Sequence, residues 1–396
     1  MDPVLNPYAP GAGAQPHELA GRDGVREMVR IAIARVRAGR PAKSAMLVGL
    51  RGVGKTVLLD KMRLDAEVAG CITARIEAPE GRSLPSMLAP QLRIALLSLS
   101  RIEIAKEAGI KALRALAGFV KSLKVKFNDI EVGIDYDPDP GIADNGDLEH
   151  DMQALFERVG EAAKVASTAV VIFVDELQYV REEELAALIT VMHRMSQRAL
   201  PVLLVGAGLP QLRGRMGEAK SYSERLFEFP EIGALSPADA GAALIKPAEE
   251  NGVTYTEEAI YTILGHTKGY PYFIQEWGSH SWNIALNSPI GYEDVHKASA
   301  TVIAAMDEGF FRVRFDRMTP TEKKYLRAMA ELGPGPHRSG DIADVLERSV
   351  QSMAPVRSSI ITKGMVWSPS HGDTAFTVPL FDEFMRRIMP GDEWKR

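Results

Sequence analysis

A single cysteine among 396 residues, Cys71, leaves no partner for an intramolecular disulfide and no set of thiolates for a metal. It stands directly before Ile72-Thr73-Ala74-Arg75-Ile76 and reads as a core strand residue. No apolar run approaches the roughly 18 residues of a membrane span. The N-terminal Met1-Asp2-Pro3 carries neither a basic n-region nor an apolar h-region, so no signal peptide is expected and the expected compartment is the cytoplasm. The eight histidines form no H-E-x-x-H or other ligand spacing. Positive charge is not in excess either: 47 Lys and Arg stand against 52 Asp and Glu, a net charge of −5. That balance excludes a broadly basic nucleic-acid protein, and any nucleic-acid contact has to be local. The rest is ordinary for a globular chain, with 46% hydrophobic and 25% charged residues and a length that suggests two or three domains.

One segment carries most of the information. Gly49-Leu50-Arg51-Gly52-Val53-Gly54-Lys55-Thr56 fits G-x-x-x-x-G-K-[ST], the phosphate-binding P-loop. Ser44-Ala45-Met46-Leu47-Val48 before it reads as a short buried strand, and Val57-Leu58-Leu59 after it opens a helix. Far downstream, Val170-Val171-Ile172-Phe173-Val174-Asp175-Glu176 is an apolar strand ending in two carboxylates. The opposing reading, a glycine-rich turn and an unrelated strand capped by acids, requires all four features to coincide by chance.

The chemistry accounts for the spacing. Gly49, Gly52 and Gly54 let the backbone curl so that its N–H groups point at phosphate oxygens. The following helix adds the positive end of its dipole. Lys55 reaches the β- and γ-phosphates, and the Thr56 hydroxyl ligates Mg²⁺. Asp175 holds or orients that ion, while Glu176 is placed to polarise an attacking water as a general base. The expected ligands are ATP and Mg²⁺, with Gly49, Gly52, Val53, Gly54, Lys55, Thr56 and Val57 at the nucleotide and Thr56 and Asp175 at the metal.

Strands near 71–76, 201–206 and 225–229 alternate with helical stretches, which predicts a parallel α/β sheet. Residues 1–20, rich in Pro, Gly and Ala, read as an extended arm, and 21–234 as the nucleotide-binding domain. Within it, alternation of apolar and charged residues from Leu123 to Tyr136, with a turn at Asn128-Asp129, predicts an inserted hairpin near 121–137. Residues 235–318 are expected to be helical, with Ser236 as an N-cap. From 319 to 396 the order is helix, helix-turn-helix, then a hairpin flanking Ser370-His371-Gly372-Asp373, which is a winged-helix order.

This set resembles the AAA+ ATPases, in particular the branch near the origin-recognition initiators and the STAND-type prokaryotic ATPases with a C-terminal winged helix. The resemblance covers nearly the whole chain and implies an α/β P-loop NTPase sheet, a helical lid and a winged-helix domain. It implies that Glu18-Leu19-Ala20-Gly21-Arg22 is the N-terminal box lining the adenine pocket, through Leu19 and Arg22. It implies that Gly269-Tyr270-Pro271 is the lid element whose Pro271 packs near the base. Alternatively, that tripeptide is only a helix start with proline at the first position. Arg225 matches the arginine finger that stabilises transition-state charge across a subunit interface; alternatively it forms a structural ion pair. With Glu176 and Lys55, it completes the catalytic candidates.

Two departures stand against rapid turnover. The polar residue that such proteins carry at the end of the fourth strand is replaced by Gly206-Ala207-Gly208, and the lid helix Pro271 to Trp282 contains no Arg or Lys. The expected function is therefore a slow, ATP-hydrolysing switch or assembly factor that controls self-association and engagement of double-stranded DNA or a protein. The rival is a winged-helix DNA-binding protein in which ATP is structural. Residues 319–396 hold eleven Lys and Arg against ten Asp and Glu, so a DNA contact there would rest on few cations, with Arg357 and Lys363 nominated. A small-substrate kinase is a third, weaker reading.

Overall fold

The computed structural model describes residues 1–11, 13–14, 16–123, 133 and 136–395. It contains two compact units: one of Arg22–Val48 and Lys55–Glu231, the other of Met1–Gly21, Gly49–Gly54 and Ile232–Arg396.

The first unit is a five-stranded sheet with helices. Its strands are β1 (Ser44–Val48), β2 (Ile72–Glu77), β3 (Val170–Asp175), β4 (Val202–Gly208) and β5 (Phe227–Glu228). They lie in the order β2-β3-β4-β1-β5, with every pairing parallel. β1, β3 and β4 are buried at every position. Their unbroken apolar runs are what a sheet covered on both faces demands. The helices are α1 (Asp23–Arg37), α2 (Lys55–Val68), α3 (Leu84–Ser100), α4 (Lys106–Leu123), α5 (Leu148–Val165), α6 (Glu182–Gln197), α7 (Leu212–Ala219) and α8 (Ser223–Leu226). Phe119, Phe156, Phe173, Met46 and Leu47 are completely enclosed, and each such side chain contributes about 1.5–3 kcal/mol of transfer free energy. Register places Gly208 beside Val48 and Gly206 beside Val174, so the carboxyl end of β4 lies between those of β1 and β3.

Two expectations are corrected here. Residues 121–123 are helical, because Leu116, Phe119, Val120 and Leu123 continue the buried face of α4; the remainder of the expected hairpin, Asn128-Asp129 included, lies outside the described residues except Gly133, Tyr136 and Asp137. The last strand is shorter than 225–229: Arg225 sits in the helical turn α8, closed by its own N–H to the Tyr222 carbonyl, 3.1 Å.

The second unit is mainly helical: α9 (Pro237–Glu249), α10 (Glu257–Thr267), α11 (Pro271–Ile284), α12 (Tyr292–Met306), α13 (Arg312–Phe315), α14 (Pro320–Leu332), α15 (Ser339–Val345), α16 (Val350–Thr362) and α17 (Phe381–Ile388). A small sheet adds β6 (His337–Arg338), β7 (Val366–Trp367) and β8 (Asp373–Phe376) in the order β6-β8-β7, all antiparallel. Ser236 caps α9 as expected, accepting from the Asp239 N–H. The boundary expected at 318/319 falls inside this unit, where Phe311 stacks on Phe384 at 5.2 Å. The arm is fastened rather than loose. Tyr8 donates its hydroxyl to the Leu244 carbonyl at 2.6 Å and accepts from Tyr255 at 2.9 Å. Its ring lies where a Cβ on Gly278 would stand, 2.7 Å away.

Candidate nucleotide-binding site

In the first unit, α2 begins at Lys55, which is 8% exposed. The Thr56 hydroxyl donates to Asp175 Oδ2 at 2.7 Å, joining the first turn of α2 to the end of β3. Asp175 is buried; its Oδ1 accepts the Glu176 N–H at 2.8 Å, and the Arg75 guanidinium stands 3.6 Å from Oδ2. Arg75 is itself held by Asp60 at 2.8 Å. Burial is the largest influence on Asp175 and raises its pKa, against the opposing hydrogen bond from Thr56.

Glu176 follows in the left-handed region at φ 56°, a conformation uncommon outside glycine. It opens a turn, Leu177–Tyr179. Gln178 in that turn is buried and donates from Nε2 to the Glu176 carboxylate. Its Oε1 accepts the Leu209 N–H at 3.0 Å. Sequence reasoning passed over Gln178, and the signal lay in two places: a glutamine two residues after the glutamate, and a strand end of glycines with no polar side chain.

In the second unit, Gly49–Gly54 forms the tight turn. Gly52 and Gly54 adopt φ +75° and +86°, and a Cβ on Gly49 would stand 2.0 Å from the Ile232 carbonyl oxygen. Val53 is wholly enclosed. α11 opens with Pro271 at its first position, so the next amide, Tyr272 N–H, lacks an intrahelical partner; it donates to the Gly52 carbonyl at 3.2 Å. The Arg51 N–H donates to the Thr377 carbonyl at 2.9 Å. Tyr272 stacks on Phe310 at 4.6 Å, and the Arg314 guanidinium lies 4.4 Å from the centre of that ring.

The remaining candidates are placed as follows. Leu19 is half-buried, Arg22 precedes α1 at its N-cap position, and Val57 is half-buried in α2. Arg225 is exposed on α8. The pair nominated for DNA is used inside its own domain. Arg357 donates to Thr374 at 2.7 Å, Ser368 at 2.8 Å and the Asp373 carbonyl at 2.7 Å, and Lys363 to Glu322 at 2.7 Å. Arg357 thus braces β8 and the segment after β7, and Lys363 is held at α14, so both side chains are committed to contacts within the unit.

The donor set fits Mg²⁺. A hydroxyl and a carboxylate, both hard oxygen donors, already face one another, and Mg²⁺ is commonly held by one or two carboxylates plus substrate phosphates. Among the described residues no group of three or more His, Cys, Asp and Glu could form an all-protein cage. None of the described helices is long and apolar enough to cross a membrane.

Residues 18–205 match the family model of an AAA ATPase domain, and residues 308–385 match a domain of unknown function, DUF8462. The fold is similar to that of the Walker-type ATPase PABY2304 of Pyrococcus abyssi. The TM-score is 0.60 at 12% identity, over 94% of this chain and 97% of that one. Cdc6p from Pyrobaculum aerophilum is similar at a TM-score of 0.48 and 14% identity, over 98% and 99%. The Aeropyrum pernix ORC1 protein, solved in complex with DNA, is similar at 0.46 and 16%, over 94% of each chain. No curated protein matches the chain by sequence. The match over residues 18–205 and the five-stranded parallel sheet both point to a P-loop ATPase domain of the AAA type in that part of the chain.

Proposed function

We propose that this chain is a slow ATP-hydrolysing switch whose nucleotide state controls self-association and the engagement of DNA or a protein partner. The observation that carries the reading is the Thr56–Asp175 contact, which brings two oxygen donors together across 119 residues of sequence. Lys55 neutralises charge on the β- and γ-phosphates, and the P-loop amides of Gly49–Gly54 bind phosphate oxygens. Thr56 and Asp175 hold Mg²⁺, which when bound supplies charge neutralisation at the phosphates. Glu176 accepts the proton of the attacking water, and Arg225 adds positive charge from a neighbouring copy. Leu19, Arg22 and Pro271 border the base.

On this reading residues 21–234 form the nucleotide domain, 235–318 the lid, and 319–396 a winged helix, supported by the helix order and the three-stranded sheet. Slow turnover follows from β4 ending in Gly206-Ala207-Gly208 and α11 lacking Lys and Arg. DNA engagement through Arg357 and Lys363 would require them to share or give up the contacts they make within the unit.

The test is direct. Lys55→Ala should abolish binding of a fluorescent ATP analogue, and Glu176→Gln should bind it normally while hydrolysing 10²–10⁴-fold more slowly. Equal hydrolysis by wild type and Glu176→Gln removes the base assignment; retained ATP binding in Lys55→Ala removes the site.

A further inference from the structure

The carboxyl end of β4 lies between the ends of β1 and β3, yet Gly206-Ala207-Gly208 offers no polar side chain. A Cβ on Gly206 would stand 2.3 Å from Leu177 Cδ1 and 2.5 Å from Met46 Sδ. One on Gly208 would stand 2.8 Å from Leu212 Cδ2 and 2.9 Å from Gln178 Oε1. Real Cβ atoms do not approach neighbours so closely, so a side chain at either position would have to push aside the ends of Leu177, Met46, Leu212 or Gln178. The space that a side chain from β4 would fill is occupied by Leu177 and Met46 at Gly206, and by Leu212 and the amide of Gln178 at Gly208.

That amide is completely specified. Its oxygen accepts the Leu209 N–H and its nitrogen donates to Glu176, so neither end can flip without losing a hydrogen bond. The main chain of the turn is fixed as well. Arg215, on α7, donates to the Gln178 carbonyl and, at 2.8 Å, to the Val180 carbonyl. Val180 and Leu177 are buried and anchor the turn to the core. Leu209 and Arg215 both belong to the segment that follows β4. Glu176 thus has a left-handed backbone, which frees its side chain from the strand direction, and a buried donor two residues away that selects one orientation.

We infer that Gln178 is a positioning residue: it sets the Glu176 carboxylate and ties its orientation to the β4–α7 segment. This rests on Glu176 acting as the base. One carboxylate oxygen is occupied by the amide, and the other is left to accept the proton of water. A buried, fully paired amide suits this task because an unpaired one is costly, which penalises alternative arrangements. The polar group at this point of the sheet comes from the turn after β3 rather than from β4.

The experiment is a double-mutant cycle on the full chain, using hydrolysis rates at saturating ATP and the affinity for a slowly hydrolysed analogue. Gln178→Ala should lower kcat by up to about tenfold, as for one orienting hydrogen bond, while analogue affinity changes less than twofold. In a Glu176→Gln background the same substitution should have no further effect, because the residue acts through Glu176. Gln178→Met keeps the volume and should behave like Gln178→Ala, which keeps the test open if the alanine variant fails to fold. Unchanged kcat in a folded Gln178 variant, or an equal further loss on top of Glu176→Gln, overturns the inference. Wild-type hydrolysis by Glu176→Gln overturns the base assignment instead, so the two failures are distinguishable.

Discussion

Glu322 is 4% exposed and sits in the first turn of α14, where it and Thr319 form a reciprocal cap. Its carboxylate accepts the Thr319 N–H, the Ser359 hydroxyl and the Lys363 ammonium, each at 2.7 Å. Burial alone would raise its pKa, but these donors, led by Lys363, outweigh burial and pull it from the usual 4.5 to about 2. The gap corresponds to about 3 kcal/mol. Because the Lys363 side chain is 28% exposed, screening reduces the usable part to about 1–2 kcal/mol. A carboxylate whose folded pKa is depressed stabilises above its unfolded pKa. That contribution is present above about pH 4.5 and is lost as pH falls through about 2. Glu322→Gln keeps the shape and removes the charge. The variant should melt about 2–5 °C below wild type at pH 7, measured by scanning calorimetry on the full chain, and the difference should shrink by pH 3. An equal difference at pH 7 and pH 3, or none at pH 7, would refute the reasoning.

Arg225→Ala should leave ATP affinity intact and lower turnover; mixed with Lys55→Ala protein, it should regain part of the activity at mixed interfaces. No rescue, together with a wild type that stays monomeric with ATP, excludes action in trans. Asp175→Asn should raise the melting temperature of the nucleotide-free protein, because burial disfavours the ionised carboxylate, while abolishing Mg²⁺-dependent hydrolysis. A lowered melting temperature would show that the hydrogen bonds from Thr56 and the Glu176 amide outweigh the burial of charge.

The parallel sheet was legible because its strands are uninterrupted apolar runs, and the phosphate loop because its residue types are chemically constrained. The cap at Ser236 was legible for the same local reason: it accepts a first-turn N–H as its position suggests. Legibility failed where alternation and helical spacing coincided. Leu123 begins an alternating run, yet it also completes the face of Leu116, Phe119 and Val120, and helix burial decided. It failed again where a side chain's exposure depends on partners distant in sequence. Arg357 looked available on a helix until Ser368, after β7, and Asp373 and Thr374 of β8 came into reach. Gln178 escaped notice because its partner Leu209 contributes only an amide.

The turn Gly49–Gly54 meets α11 and the Thr377 strand end through Gly52 and Arg51, and all four bonding atoms belong to the main chain. Such links are indifferent to side-chain identity. A substitution at 51, 272 or 377 leaves these two bonds in place even where it costs the Tyr272–Phe310 stacking or the hydrogen bonds of the buried Thr377 hydroxyl. Only a change to the backbone itself, such as proline at 51 or 272, removes a donor. Related chains could therefore differ widely along this seam in sequence and still retain both links.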